Sequence, residues 1–319
     1  MRNEETSVVT AYFDINRGRS GIKGMQRGNS KYLEYFNFWA RMENQLIVYT
    51  TRDFEKEIMA VRESFGQEEQ TEIVIIDNAY MLEPDVYNKM DVIEKNGQFS
   101  GVRLHTKAMS NCAKYDYIMF LKYWCLKDAA ERFSLNGNIA WIDFGFNHGG
   151  ERYINAKEFA FYWTPTIPEN KVVLYTRKPI EQVDLLTQLL LQTNCVMGCP
   201  VILNAKLATA FYTLIKKACE SLLMLNVIDD DQQLLTMAYN WKPDFFEVHM
   251  SDWFLPLKEN GGEHLSVKLN DTKSLTPIKR ILIQVASDVK HAVENDHSRP
   301  IIKDYVWRLK KFFGEYLNK

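Results

Sequence analysis

No apolar run in this sequence reaches the length of a membrane span, and the opening MRNEETSVVTAYF sets acidic residues ahead of its first apolar run, where a signal peptide would carry its core. Both absences lead us to expect a cytoplasmic protein, with room for contact at the inner face of the plasma membrane. A basic excess is missing as well. The formal charge is -2, so nothing in the overall balance draws the chain to nucleic acid, and no nucleic-acid partner is expected. Cysteine is scarce: the five (Cys112, Cys125, Cys195, Cys199 and Cys219) are odd in number and sit mostly in apolar segments, which reads as reduced thiols. Cys195 and Cys199 flank Val-Met-Gly, but no second pair or histidine stands beside them at zinc-ligand spacing.

What is present is enough apolar substance for a sizeable core, 46% hydrophobic and 13% aromatic over 319 residues. The first half alternates. Residues 7–13 (SVVTAYF) read as a buried strand, residues 30–42 as a helix with a wide aromatic face, and residues 46–50 (LIVYT) as a second strand. Residues 54–65 then read as an amphipathic helix, 72–77 (EIVIID) as a third strand, 78–110 as polar and irregular, 111–133 as a helix and 138–144 as a fourth strand. Repeated strand and helix make an open α/β sheet the leading fold class. In the second half, residues 158–168 (EFAFYWTPTIP), 171–176 and 245–254 read as strands, and 194–204 as a punctuated turn and strand. Residues 180–192, 207–225 and the segment after Asp229-Asp230-Asp231 read as helices.

Composition shifts near residue 260, so a main domain is expected over residues 1–265 and a C-terminal helical extension over 266–319. Two helices are expected in the extension, at 276–295 and 299–317. The polar face of the second, with Lys303, Arg308, Lys310 and Lys311, either faces water on a docked helix or meets a membrane surface or partner. A further basic element lies at residues 14–29, a loop with four glycines and with Arg17, Arg19, Lys23 and Arg27.

The stretch IAWIDFGFNHGG (residues 139–150) ends an apolar run on one acid and then breaks into Asn, His and paired Gly. Asp143-Phe144-Gly145 spells the metal-binding tripeptide of protein kinases, yet the chain has no His-Arg-Asp and no Gly-rich hairpin upstream, which removes that reading. Ligands of open α/β sheets bind beyond the carboxyl ends of the strands, where Asp143, Asp77 and residues 12–14 all stand. A carboxylate there suits magnesium or manganese, which would neutralise a departing diphosphate. Sugar transfer from a nucleoside diphosphate sugar is the reaction that most often needs such an arrangement.

Several segments together resemble the bacterial HtrL/YibB family: TAYFDINR (10–17), YLEYF (32–36), LIVYT (46–50), Lys122 within its helix, WIDFG (141–145) with His148, and Asp230-Asp231-Gln232. The resemblance spans roughly residues 7–255. It implies a GT-A-like open mixed sheet with flanking helices, and a glycosyltransferase of lipopolysaccharide, O-antigen or capsule synthesis. The donor would be a nucleotide sugar, a UDP-sugar foremost, and the acceptor a glycan, with a lipid-linked one in view. By the same resemblance Thr10, Ala11 and Tyr12 would carry the donor's base, Arg17 would approach its phosphates, and Asp77 would touch base or ribose. Asp143 would hold Mn2+ or Mg2+, with Lys122 paired to Asp143 or to a phosphate. Gly145 stands where the Asp-any-Asp pair of GT-A enzymes has its second acid, so a further metal ligand would come from His249, or locally from Asn147 or His148. Asp231, beside Asp230, would face the acceptor, taking its proton or orienting the sugar. Trp141 and Trp253 would stack on sugar faces.

The residues themselves leave plainer roles open. Arg17 and Lys122 read equally as solvated charges, Asp77, Asp230 and Asp231 as helix caps, His249 as a packed or surface histidine, and the indoles as core. Two other function classes also stay open: a non-catalytic nucleotide or glycan binder of this fold, and a metal-dependent phosphoryl transferase or hydrolase that turns over the donor without an acceptor.

Overall fold

The computed structural model describes residues 5–17, 26–97, 112–180, 185–191 and 195–268, all within the first of two units into which the chain divides, Met1–Lys268. The helices expected at 276–295 and 299–317, and Arg19 and Lys23 of the basic loop, lie outside the described residues. The β-branched runs become seven strands: β1 (Thr6–Tyr12), β2 (Leu46–Thr50), β3 (Thr71–Ile75), β4 (Asn138–Trp141), β5 (Val172–Thr176), β6 (Val196–Asn204) and β7 (Phe246–Met250). They form one sheet in the order β3-β2-β1-β4-β6-β5-β7. β6 pairs antiparallel with both β4 and β5, while the other neighbours pair parallel, so β6 is the reversed strand of a mixed sheet. This is the open mixed α/β sheet with flanking helices that the resemblance implies.

Burial follows position in the sheet. β2, β4, β5 and β6 are buried at every residue, and β1 at all but Ala11, as strands covered on both faces should be. The edge strands β3 and β7 expose alternate or terminal positions. The flanking helices are α1 (Asn29–Trp39), α2 (Arg52–Glu63), α3 (Pro84–Asn96), α4 (Ala113–Arg132), α5 (Leu185–Leu191), α6 (Ala208–Met224) and α7 (Asp231–Trp241). α4 packs on β1 and β4 and touches α3, α6 and α7, while α7 packs on β6.

Two stretches differ from expectation. Within residues 78–110, read as irregular, α3 forms. Pro84 opens it where a missing N–H costs nothing, Val86, Met90 and Ile93 bury one face, and Gly97 closes it in the left-handed conformation. Residues 158–168, expected as a strand, form a 3-10 turn (Ala156–Phe159) and an irregular run. Pro165 and Pro168 cannot donate to a ladder. A buried side chain substitutes for a partner strand: the Asn44 amide accepts from Trp163 N at 2.8 Å and donates to Trp163 O and Thr6 O, each at 2.8 Å.

Candidate functional site

β1 and β4 run side by side with Val9 opposite Trp141, so both leave the sheet at the same end. Ile142 N extends the pairing to Val9 O at 3.1 Å, and Asp143 follows. Because β6 is reversed, the residues that enter it lie beside those that leave β4, and Asp143 N donates to Cys199 Sγ at 3.3 Å. A cleft of about 320 Å³ opens at this end, lined by Ala11, Tyr12, Asp14, Arg17, Arg27, Tyr32, Tyr115, Lys122, Trp141, Asp143, Gly145 and His148, among others. Its location, outside the carboxyl ends of parallel strands, is the usual ligand site of such sheets.

The charged centre of the cleft is a lysine between two acids. Lys122 emerges from the middle of α4, a helix buried around most of its circumference, and its side chain is only 4% exposed. Nζ lies 2.8 Å from Asp143 Oδ1 and 2.5 Å from Asp231 Oδ2. Trp141 Nε1 donates to the same Asp143 oxygen at 2.7 Å. Lys122 is therefore paired with Asp143 and is not solvated. Removing one member of a buried ion pair typically costs about 3–5 kcal/mol, because the remaining charge stays uncompensated.

The three consecutive acids divide their tasks. Asp229 Oδ1 accepts from Asp230 N at 2.9 Å, and Asp230 caps α7 by accepting from Gln232 N at 3.1 Å. Asp231 is thereby left for Lys122. Its side chain is 5% exposed, whereas that of Asp143 is 42% exposed, so Asp143 is the carboxylate that reaches the cleft and Asp231 supports from behind. Burial raises the Asp231 pKa to about 6; Lys122 pulls it down, and Asp230 and Asp143 add to the rise. Burial works against the Lys122 ammonium, but Asp143 and Asp231 outweigh it and hold its pKa well above the usual lysine value.

Arginine and tyrosine form the facing wall. The Arg17 guanidinium lies 5.7 Å from the Tyr32 ring centre and 5.6 Å from that of Tyr115, and it donates to the Tyr32 hydroxyl. Tyr32 also packs over Gly145, where a Cβ would meet the ring at 3.1 Å. Arg27 Nη1 lies 3.1 Å from His148 Nε2, and His148 Nδ1 lies 2.5 Å from Glu151 Oε2. Asn147, offered as a local metal ligand, is instead fully buried. Its side chain donates to Tyr153 O at 3.0 Å and accepts from the backbone N of Arg152 at 2.7 Å and of Tyr153 at 2.8 Å, folding the loop around itself.

The structure thus brings Ala11, Tyr12, Arg17, Lys122, Asp143, Gly145 and Trp141 to one cleft, with Asp231 and Asp230 behind it. Others lie elsewhere. Thr10 is fully buried within β1. Asp77 is exposed beyond the end of β3, and the side chain that caps the following turn is Asn78, which accepts from Tyr80 N. His249 is on β7, at the sheet edge, with Glu247 3.1 Å away; β6 and β5 separate that strand from β4, so the fold does not bring His249 to Asp143. Trp253 stacks under Arg177 at 5.6 Å. Gly198, Tyr115 and Arg27 complete the site beyond the residues singled out as ligands. Gly198 carried a signal, since a glycine inside an apolar strand marks a close approach.

As a metal site this set is poor. Two carboxylates, Asp143 and Asp14, line the cleft; one Asp143 oxygen already serves an ammonium and an indole N–H, and the Asp14 oxygens accept from Asn16 N at 2.7 Å and Asn29 Nδ2 at 3.0 Å. Among the described residues no group of three or more His, Cys, Asp or Glu could enclose an ion.

Residues 4–258, which include every group named above, match the sequence model of a family described as "Bacterial protein of unknown function (HtrL_YibB)". The chain belongs to the HtrL/YibB family. Protein HtrL of Escherichia coli (strain K12) is 26% identical over 266 residues, covering 78% of this chain and 90% of that protein. Among solved structures, the apo form of mouse xyloside xylosyltransferase 1 overlaps 77% of this chain and 85% of its own, at 11% identity and a TM-score of 0.41, too loosely to carry an argument about the site. The HtrL/YibB match runs through α4, Asp143 and Asp231, so the charged centre lies within the family region. No helix among the described residues of this HtrL/YibB member is long and apolar enough to cross a membrane.

Proposed function

We propose that this chain is a glycosyltransferase that moves a sugar from a nucleoside diphosphate sugar, a UDP-sugar foremost, to a lipopolysaccharide, O-antigen or capsule glycan. The observation that carries the reading is the cleft at the strand ends, where cationic side chains face a half-exposed carboxylate, Asp143. Ala11 and Tyr12 offer the base a wall, and Arg17 and Arg27 draw the phosphates. In the transfer, the bond from the anomeric carbon to the diphosphate oxygen breaks, the nucleoside diphosphate leaves with the electron pair, and an acceptor hydroxyl oxygen bonds to that carbon while its proton passes to the half-exposed Asp143 carboxylate. Asp143 faces the reacting sugar, and Asp231 positions Lys122. The acceptor belongs to the surface-glycan setting implied by the family resemblance.

The test is turnover. The full chain is incubated with a panel of nucleotide sugars, with and without lipid-linked and free glycan acceptors, and release of the nucleoside diphosphate is followed. Release that depends on an acceptor supports the reading. Release without one would reassign the protein as a hydrolase, and tight nucleotide binding with no turnover would make it a binding protein.

A further inference from the structure

We infer that Lys122 is the cation that faces the donor's diphosphate, and that donor binding at this cleft needs no divalent metal ion. The inference rests on the donor-site reading given above. Its first support is the geometry of Asp143. One of its two oxygens, Oδ1, is held at 2.8 Å by Lys122 Nζ and at 2.7 Å by Trp141 Nε1. An ion bound there would meet an ammonium as its neighbour, and like charges at that range repel. Magnesium and manganese sites that rely on substrate phosphates still draw on one or two free carboxylates. Here Asp231 is buried and spent on the same lysine, and both oxygens of Asp14, the other carboxylate of the lining, already accept, from Asn16 N at 2.7 Å and from Asn29 Nδ2 at 3.0 Å.

A second support is the charge of the lining. The charge of Lys122 is shared with Asp143 and Asp231, but Arg17 and Arg27 also line the cleft, so an anion entering it meets further cations without a metal ion. The third support is preorganisation. An ammonium has three N–H donors; two are used by Asp143 and Asp231, and the third remains for a phosphate oxygen in the cleft that Lys122 lines. Asp231 fixes the ammonium from behind, seated against Gly198 where no side chain intervenes. A charge held in place before the ligand arrives needs little reorganisation when negative charge builds on the leaving diphosphate.

The experiment is calorimetric binding of UDP, GDP, ADP and CDP, and of the matching free nucleosides, to the full chain in EDTA and then in Mn2+ or Mg2+. We expect one diphosphate to bind the wild type with the same affinity in EDTA as with metal. In Lys122→Met its affinity should fall about tenfold or more, while the matching nucleoside binds as before, a split that general misfolding would not produce. Binding that appears only with metal would overturn the inference and leave the donor reading standing. Failure of every nucleotide to bind the folded wild type under both conditions would overturn the donor reading, and this inference with it. If Lys122→Met does not fold, the wild-type comparison of EDTA with metal decides alone.

Discussion

The carboxylate of Asp231 fills the space beside the backbone of Gly198: a Cβ on that glycine would lie 1.9 Å from Asp231 Oδ2. The glycine is required here for room and not for an unusual φ. Gly198→Ala should push Asp231 away from Lys122 and destabilise the fold by about 1–3 kcal/mol, the usual cost of overpacking. Urea denaturation measures it, and an unchanged midpoint would show that the acid can move aside freely.

The pH dependence of stability should carry the mark of Asp231. Its folded pKa is raised to about 6, chiefly by burial, from an ordinary value of 3.8. Between those values the unfolded chain has lost the proton that the folded chain keeps, so folding stability drawn from this group is full below about pH 4 and is lost as pH rises through about 6. Asp231→Asn removes that dependence, and Lys122 stays charged throughout the range. The stability of wild type relative to Asp231→Asn should therefore fall from pH 4 to pH 7 in parallel urea titrations. A constant difference would refute the assignment.

Asn147 should behave as a structural residue despite its place beside the cleft. It has φ 58°, a left-handed conformation that Asn tolerates better than most residues, and its buried amide makes three hydrogen bonds. Asn147→Ala leaves the backbone N–H groups of Arg152 and Tyr153 without their acceptor, at a cost of about 2–4 kcal/mol. A loss of stability well below that, read from the denaturation midpoint, would mean that the loop finds other partners.

Arg17 should act on donor affinity more than on stability. Its guanidinium rests on two tyrosine rings at the cleft wall, and Arg17→Ala should weaken nucleoside diphosphate binding about tenfold. Arg17→Lys should recover only part of that, since an ammonium cannot lie flat between two rings and reach a phosphate in the same way. Equal affinity in all three proteins by calorimetry would remove Arg17 from the donor site.

The sheet was legible because its central strands are buried on both faces and read as continuous apolar runs; LIVYT needs no context to be placed. Asp143 was legible for a related reason, an acid ending such a run. α3 was missed although Pro84, the Val86, Met90 and Ile93 spacing, and Gly97 are all in the sequence, because Asp, Asn, Lys and Glu make up seven of its thirteen residues. Residues 158–168 misled in the opposite sense, since Phe159 and Trp163 are buried as a strand's residues would be, but anchored by Asn44 from a distant turn. His249 shows the limit of reading ends of strands one at a time: it sits on a strand as expected, yet only the order of the sheet determines which strand ends lie together. The same holds for Asp231 as the second partner of Lys122: α7 packs on β6 and α4 on β4, so the order of the sheet brings the two side chains together and no local pattern does.

That single reversed strand also divides the molecule's freedom to change. Lys122, Asp143, Gly198 and Asp231 hang on β4, β6 and the helices packed against them, whereas β5 and β7 extend the sheet outward on the far side. Substitutions in β5, β7 and their loops should therefore leave the spacing of Lys122, Asp143 and Asp231 in register.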